Sequence, residues 1–178
     1  MEYLSPARTP QGVLSLCRKP EEALPETLPG RRYALLDGVQ DPGNMGTIWR
    51  TADAFETDGL LLTNACADPF SWKTIRATMG AAFRMPVWEV TPEQLAALTA
   101  QSGLTLLATA LRADTIPLQA VHAPRTAVVI GSEGQGLTDE TIAACTSTVR
   151  IPMTDRVESL NAGIAGSILL WHFREESL

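Results

Sequence analysis

From residue 31 onward, the chain alternates short runs of apolar and β-branched residues with longer stretches of helical periodicity. Several of the short runs are apolar throughout, which is typical of parallel strands covered on both faces. In a chain of 178 residues this alternation predicts one α/β domain. The predicted strands cover residues 32–36, 59–63, 86–90, 105–109, 126–130 and 147–151.

Three helices between or after these strands have recognisable ends. Thr91 followed by Pro92 predicts one helix start, and Thr138 predicts another. The last helix is expected over residues 160–173, where many small residues indicate close approach to another element or subunit. Its apolar stripe consists of Leu160, Ile164, Ile168 and Trp171.

The remaining composition limits where and how the protein works. Residues 1–30 hold five of the 12 prolines and predict an extended N-terminal segment before a domain of residues 31–178. A net charge of −6 excludes a broadly basic surface for nucleic acid. The three cysteines fit neither a metal site nor a closed disulfide scheme, and no apolar run is long enough for a membrane span. We therefore expect a cytoplasmic protein with no membrane contact.

The first segment that carries chemistry, residues 35–55, is a strand, a turn rich in Gly and Pro, and a helix. Gly46 and Arg50 are four residues apart and share one helix face, with Asn44 at the helix entrance. An amide, free backbone N–H groups and a guanidinium at one helix start suit an anion or a phosphate. The alternative is a solvated Arg50 paired with Asp53.

The second segment, residues 127–137, is a buried strand followed by a glycine-rich loop. Gly131, Gly134 and Gly136 allow the backbone to approach a ligand closely. Their spacing is neither that of a phosphate-binding P-loop nor that of the dinucleotide fingerprint. A tight turn without any ligand is an equally open interpretation of this loop alone.

The third segment, residues 149–161, is a strand end, a loop and the start of the last helix. Pro152 cannot continue a central ladder, so the chain leaves the sheet at Ile151. Ser159 is a natural N-cap, which places Asn161 within the first helical turn. Asparagine is a poor helix former there, so Asn161 is a candidate for function.

Taken in order, these segments resemble the SpoU (TrmH-type) ribose 2′-O-methyltransferases of rRNA and tRNA, within the SPOUT superfamily. The family's Asn-x-Gly-x-x-x-Arg is matched by Asn44, Gly46 and Arg50. Its Gly-Ser/Thr-Glu-x-x-Gly-Leu is matched at residues 131–137. Its Ile-Pro-Met followed by Ser-Leu-Asn is matched at residues 151–161.

The resemblance implies an α/β fold with a doubly wound, mainly parallel sheet and a deep C-terminal trefoil knot. It also implies S-adenosylmethionine as methyl donor, held largely by the backbone of three loops, and no metal. Carried onto this chain, the cofactor-binding residues are Thr109, Ala110, Leu111, Gly131, Glu133, Gly134, Ile151, Met153 and Leu160.

The implied reaction is methyl transfer to a ribose 2′-OH of rRNA, with tRNA as the second choice, by a homodimer packed through the knot. Arg50 is the nominated catalytic residue, and Asn44, Glu133, Ser159 and Asn161 would orient it and the ribose. Because a guanidinium is a poor base, we expect positioning and charge stabilisation from Arg50.

An acidic chain needs a local means of holding RNA. We expect a small positive patch near Arg50, with Arg32, Arg76 or Arg84. In larger family members a segment like residues 9–13 joins an N-terminal RNA-binding domain, so residues 31–178 resemble the catalytic domain alone.

Two other classes of protein stay open. One is a non-catalytic knotted paralogue that binds RNA or the cofactor, and the other is a general α/β nucleotide-binding domain. The presence together of Asn44, Arg50, Glu133 and Asn161 favours the enzyme over the first. The missing phosphate-binding fingerprints count against the second.

Overall fold

The protein is described by a computed structural model that covers residues 9, 12–20, 23–63, 65–110, 112 and 115–174. Its strands are β1 (Arg32–Asp37), β2 (Gly59–Leu62), β3 (Val87–Glu89), β4 (Thr105–Thr109), β5 (Ile116–Pro117), β6 (Thr126–Gly131) and β7 (Ser147–Arg150). Its helices are α1 (Pro42–Ala54), α2 (Trp72–Ala77), α3 (Pro92–Ser102), α4 (Asp139–Ala144) and α5 (Ala162–His172).

The strands form one seven-stranded sheet in the order β3-β2-β1-β6-β4-β7-β5. Every pairing is parallel, from β1 with β2 and β6 to β5 with β7. The α/β class and all six predicted strands are confirmed. β5 was not predicted because it has two residues and includes Pro117, which the ladder tolerates at a sheet edge. The six-residue α2 is likewise too short to show helical periodicity.

Helices cover both faces of the sheet. On one face, α1 and α5 bury apolar side chains against β1, β2 and β6, with Trp49 and Leu169 at the centre. On the other face, Leu98 of α3 packs with Leu61 and Val129. Burial on both faces explains why the central strands are apolar throughout.

The start of α1 follows the capping preferences of its sequence, but Gly46 within this helix has a different role from the predicted one. The Asp41 carboxylate caps α1 by accepting a hydrogen bond from the backbone N–H of Asn44, with Pro42 in the first turn. Gly46 is buried, and a Cβ there would lie 3.0 Å from the Thr74 carbonyl oxygen of α2. Gly46 therefore serves helix packing and is not open to a ligand, whereas anion binding by Asn44 and Arg50 stays a prediction.

The last helix starts later than predicted. Asn161, not Ser159, is its N-cap, and the Asn161 side chain accepts a hydrogen bond from the backbone N–H of Ile164 at 3.2 Å. The small residues of α5 allow close packing within the chain. A Cβ at Gly166 would lie 2.9 Å from side-chain carbons of Ile48 and Ile130, which places α5 directly on α1 and β6.

The residues ahead of β1 belong in part to the core. Residues 12–20 have no regular secondary structure, whereas Leu28 is only 1% exposed and its N–H donates to Ser102 Oγ at 2.8 Å. Within the described ranges, no helix has both the length and the apolar character needed to cross a membrane.

Candidate functional site

Three neighbouring strands end beside one cavity. The loops after β4, β6 and β7 surround a volume of about 480 Å³ at the carboxyl edge of the sheet, where parallel α/β sheets bind ligands. Eight of the predicted cofactor-binding residues line it, and the ninth, Leu111, lies outside the described residues. The eight are Thr109, Ala110, Gly131, Glu133, Gly134, Ile151, Met153 and Leu160.

The glycine-rich loop after β6 folds back on itself. Ser132 and Gly136 exchange two backbone hydrogen bonds, at 3.0 and 3.1 Å, and Gly136 has a φ of 67°. A Cβ at Gly131 would lie 2.6 Å from the Gly136 carbonyl oxygen, so only glycine fits there. A Cβ at Gly134 would meet nothing within 4 Å. The loop therefore leaves the backbone at Gly134 accessible from the cavity.

A carboxylate and two amides connect the three segments at the rim of this cavity. Glu133 Oε1 accepts a hydrogen bond from Asn44 Nδ2 at 2.9 Å, and Asn44 Oδ1 accepts one from Asn161 Nδ2 at 2.9 Å. These residues are 89 and 117 positions apart in the chain, so only the fold brings them together. We refer to Asn44, Glu133 and Asn161 as the amide–carboxylate cluster.

Glu133 also holds the loop that leads into α1. Its two carboxylate oxygens accept hydrogen bonds from the backbone N–H groups of Gln40 and Asp41, both at 3.2 Å. Burial by itself raises the pKa of the Glu133 carboxyl. The hydrogen bonds from Asn44 and from backbone amides outweigh it, so the pKa lies below its ordinary value. Glu133 is therefore an anion at neutral pH.

The two remaining predicted catalytic residues lie outside this cluster. Ser159 lines the cavity on the loop before α5. Arg50 is exposed on α1 and forms no hydrogen bond or ion pair with any residue in the described part of the chain. The alternative of an Arg50–Asp53 pair is wrong, because Asp53 accepts a hydrogen bond from Arg84 Nε at 3.0 Å instead.

Sequence reasoning missed one charged pair on the cavity lining. Arg112, after β4, donates a hydrogen bond to Asp139, at the start of α4, with 3.0 Å between Nη2 and Oδ1. Neither residue belongs to a motif. Their only sequence signal is that each follows the carboxyl end of a predicted strand. Among the described residues, no group of three or more His, Cys, Asp and Glu side chains could hold a metal.

Fold and site together define a class: an α/β protein with a ligand cavity at the carboxyl edge of a parallel sheet and an amide–carboxylate cluster at its rim. The sequence pattern of the SpoU rRNA Methylase family matches residues 31–171 of this chain. The chain belongs to this family, as its three segments predicted.

Three similar proteins illustrate the relationship. The 23S rRNA (guanosine(2553)-2'-O)-methyltransferase RlmP of Bacillus subtilis is 36% identical over 168 residues, which are 93% of this chain and 66% of that protein. The AdoMet-bound rRNA methyltransferase from Sinorhizobium meliloti is 36% identical, with a TM-score of 0.76 over 80% of this chain and 55% of that one. The SpoU methyltransferase AviRb from Streptomyces viridochromogenes, in complex with AdoMet, is 30% identical, with a TM-score of 0.74 over 82% and 61%.

The chain spans about half to two thirds of the length of the curated relatives it matches.

Proposed function

We propose that this chain is an S-adenosylmethionine-dependent methyltransferase that acts on a ribose 2′-OH of RNA, with rRNA favoured over tRNA. The observation that carries the proposal is the amide–carboxylate cluster at the rim of the cavity. It joins the three family segments in one hydrogen-bonded chain, from Glu133 through Asn44 to Asn161. The names of the relatives support the same activity.

The cavity suits the cofactor in size and chemistry. A volume of about 480 Å³ is within the usual range for small-molecule sites. Ile151, Met153 and Leu160 would supply apolar contacts for the cofactor, and the open backbone of Gly134 would supply polar ones. Thr109 keeps the loop after β4 in place by donating a hydrogen bond to the Val129 carbonyl at 2.8 Å. When bound, S-adenosylmethionine supplies a methyl group that is activated by its sulfonium sulfur.

The side chains at the rim would position the RNA. Glu133 holds Asn44, and Asn44 holds Asn161, so the amide at the start of α5 has a defined orientation toward a ribose. The exposed Arg50 guanidinium would bind a phosphate of the same nucleotide and stabilise negative charge at the 2′-oxygen as its proton leaves to solvent. Ser159, two residues before Asn161 on the loop that leads into α5, would also hydrogen bond to the ribose.

Two further features concern the path of the chain and the pairing of two copies. The chain from β7 to α5 would pass through a loop to form a deep trefoil knot. Two copies would pair through α5, on which Ile164 and Trp171 are 51% and 52% exposed. Such a homodimer would cover an apolar face that this chain leaves open to solvent.

Two measurements on the chain of 178 residues test the activity. Calorimetry with S-adenosylmethionine is expected to show binding, and label from methyl-tritiated cofactor is expected to enter rRNA. Arg50→Ala should lower kcat at least about 100-fold, as loss of one charge-stabilising donor does, with cofactor affinity unchanged. The matched control is Arg31→Ala, which removes an exposed arginine at the opposite edge of the sheet.

Each alternative has its own outcome. Absence of binding at millimolar cofactor would reject the methyltransferase. Cofactor binding without transfer to rRNA or tRNA would indicate the non-catalytic paralogue. Full activity of Arg50→Ala would remove Arg50 from the reaction.

A further inference from the structure

The segment from residue 69 to residue 88 has a charge balance opposite to that of the whole chain. It holds three basic residues and no carboxylate, whereas the chain has 14 basic and 20 acidic residues. The segment contains α2, a short 3-10 helix (Ala81–Phe83) and the start of β3. Arg84 is paired with Asp53, so Lys73 and Arg76 supply the positive charge that attracts a polyanion here.

Large apolar side chains are exposed among these cations. Trp72, Met79 and Phe83 are 47%, 68% and 72% exposed. Lys73 and Arg76 are exposed beside them, and neither has an ion pair within the described ranges. We refer to these five residues as the α2 surface. Flat rings interspersed with cations are the pattern by which proteins bind single-stranded nucleic acid.

The backbone of this surface is held in an unusual shape. Met79 has a φ of 50° and Gly80 a φ of 94°, so two consecutive residues are left-handed between α2 and the 3-10 helix. Below them, the buried Thr78 hydroxyl donates to the Ile75 carbonyl at 2.7 Å. A left-handed methionine costs free energy, and such residues are frequent at binding sites. The turn presents Met79 and Phe83 to solvent.

A cleft of about 280 Å³ opens beside the α2 surface. Its walls include the Phe70 and Phe83 rings, and Arg84 lies on its lining. Lys19 Nζ lies 4.6 Å from the centre of the Phe70 ring. Lys19 covers one face of Phe70, so the exposed Phe83 ring is the wall on which a nucleobase can stack, with the Lys19 charge close by for its phosphate.

The α2 surface adjoins the proposed catalytic arginine. α2 packs on α1 at Gly46, and Arg50 lies one helical turn further along the same side of α1. Three residues beyond Arg50, Asp53 accepts a hydrogen bond from Arg84 at 3.0 Å, which fixes the lining of the cleft to α1. A strand lying on the α2 surface would therefore run past Arg50.

We propose that the α2 surface and the adjoining cleft stack unpaired bases of the RNA strand that carries the target ribose. Lys73 and Arg76 contact the phosphates of that strand. This inference rests on the proposed function, since it deepens the account of the substrate. Duplex RNA has no free base faces to offer, so the target nucleotide lies in a single-stranded loop or bulge.

The test measures binding of the full chain to a fluorescent single-stranded oligoribonucleotide of about 12 mixed nucleotides, by anisotropy. Trp72→Ala and Phe83→Ala should each weaken binding about 5- to 100-fold through loss of one stacked base. Trp72→Phe should stay within about threefold of the parent, because a ring remains. Lys73→Gln and Arg76→Gln should each lower the slope of log K against log salt by about 0.7.

Two matched controls lie away from the α2 surface. Ile116→Ala removes an exposed apolar side chain on β5, at the far edge of the sheet from β3, and Arg31→Gln removes an exposed cation. Both should leave RNA affinity unchanged. Urea unfolding of Trp72→Ala and Phe83→Ala should match the parent, so that a loss of binding is not a loss of fold.

Three results would overturn the inference. The first is that Trp72→Ala and Phe83→Ala bind RNA as tightly as the parent, and the second is that a matching duplex competes as well as the single strand. A change of oligomeric state in these variants with unaltered RNA affinity would make the α2 surface a protein interface. Failure of the proposed function is a separate result: the parent would then bind no S-adenosylmethionine, whatever its variants do with RNA.

Discussion

At the scale of single residues, Glu133 connects the glycine-rich loop after β6 to the start of α1 and to the loop before it. Its carboxylate holds Asn44 and the backbone of Gln40 and Asp41, and these interactions lower its pKa despite partial burial. A carboxyl whose pKa is lower in the folded state stabilises the fold above its unfolded pKa. That contribution disappears as the pH falls through the folded pKa.

We therefore expect Glu133→Gln to be less stable than the parent at pH 7, with a difference that shrinks and then disappears as the pH falls through the lowered pKa of the Glu133 carboxyl. Urea unfolding followed across this pH range measures it. Glu89→Gln, at an exposed position on β3, is the control and should show no such dependence. A stability difference for Glu133→Gln that persists at low pH would contradict the assignment.

The three cysteines are expected to differ in reactivity because their burial and the charges around them differ. Burial, and then the nearby charge of Asp37, raises the pKa of Cys145 to about 11, and burial also raises the pKa of Cys66. Cys17 is exposed. Because the thiolate is the nucleophile, pulse labelling with iodoacetamide near pH 8 should modify Cys17 first and Cys145 last. Equal labelling of Cys145 and Cys17 in the native protein, measured by mass spectrometry, would contradict this order.

At the scale of elements, α1 is held between α2 on one side and α5 on the other, through a glycine at each contact. A Cβ at Gly46 would press on the α2 backbone, at 3.0 Å from the Thr74 carbonyl oxygen. The three atoms nearest to a Cβ at Gly166 are instead side-chain carbons, Ile130 Cδ1 and Ile48 Cγ1 at 2.9 Å and Ile48 Cδ1 at 3.3 Å. Backbone cannot move aside as a side chain can.

Gly46→Ala should therefore lower the free energy of unfolding by about 1–3 kcal/mol, the usual cost of overpacking. Gly166→Ala should cost less, since its isoleucine neighbours can adjust and alanine favours the helix by about 1 kcal/mol. Urea unfolding of the two variants provides the comparison. If Gly46→Ala is the more stable of the two, α2 does not pack as described.

At the scale of the whole molecule, α5 has one face in the core and one in solvent. Gly163 and Gly166 face the core, whereas Ile164 and Trp171 are exposed. Under the proposed dimer, a charge at Ile164 would be buried without a partner between two subunits. Ile164→Lys should therefore convert a dimer to a monomer in analytical ultracentrifugation, with little change in the stability of each subunit.

Ala96→Lys places the same charge on an exposed position of α3 and should leave the dimer intact. A parent chain that sediments as a monomer would reject the dimer itself. A dimer that tolerates Ile164→Lys would place the interface elsewhere on the surface.

The sequence alone determined the α/β class and the main strands, and it pointed to the residues that lie together at the candidate site, because these depend on local signals. Apolar runs such as 126–130 specify buried strands, and Thr91 with Pro92 specifies a helix start. The motif residues around Asn44, Glu133 and Asn161 were likewise visible as short patterns. Periodicity, caps and motifs each need only a few neighbouring residues.

Tertiary structure decided how those residues are used. In the folded chain Gly46 lies in the contact between α1 and α2, and Asn161 is the N-cap of α5 in place of Ser159. Asp53 pairs with Arg84 and not with Arg50. Each of these contacts joins elements that are far apart in the chain or competes with a local alternative of similar energy. A single cap or surface ion pair contributes about 1 kcal/mol or less. The packing of whole helices and strands involves many more contacts, so the packing decides which cap and which ion pair form.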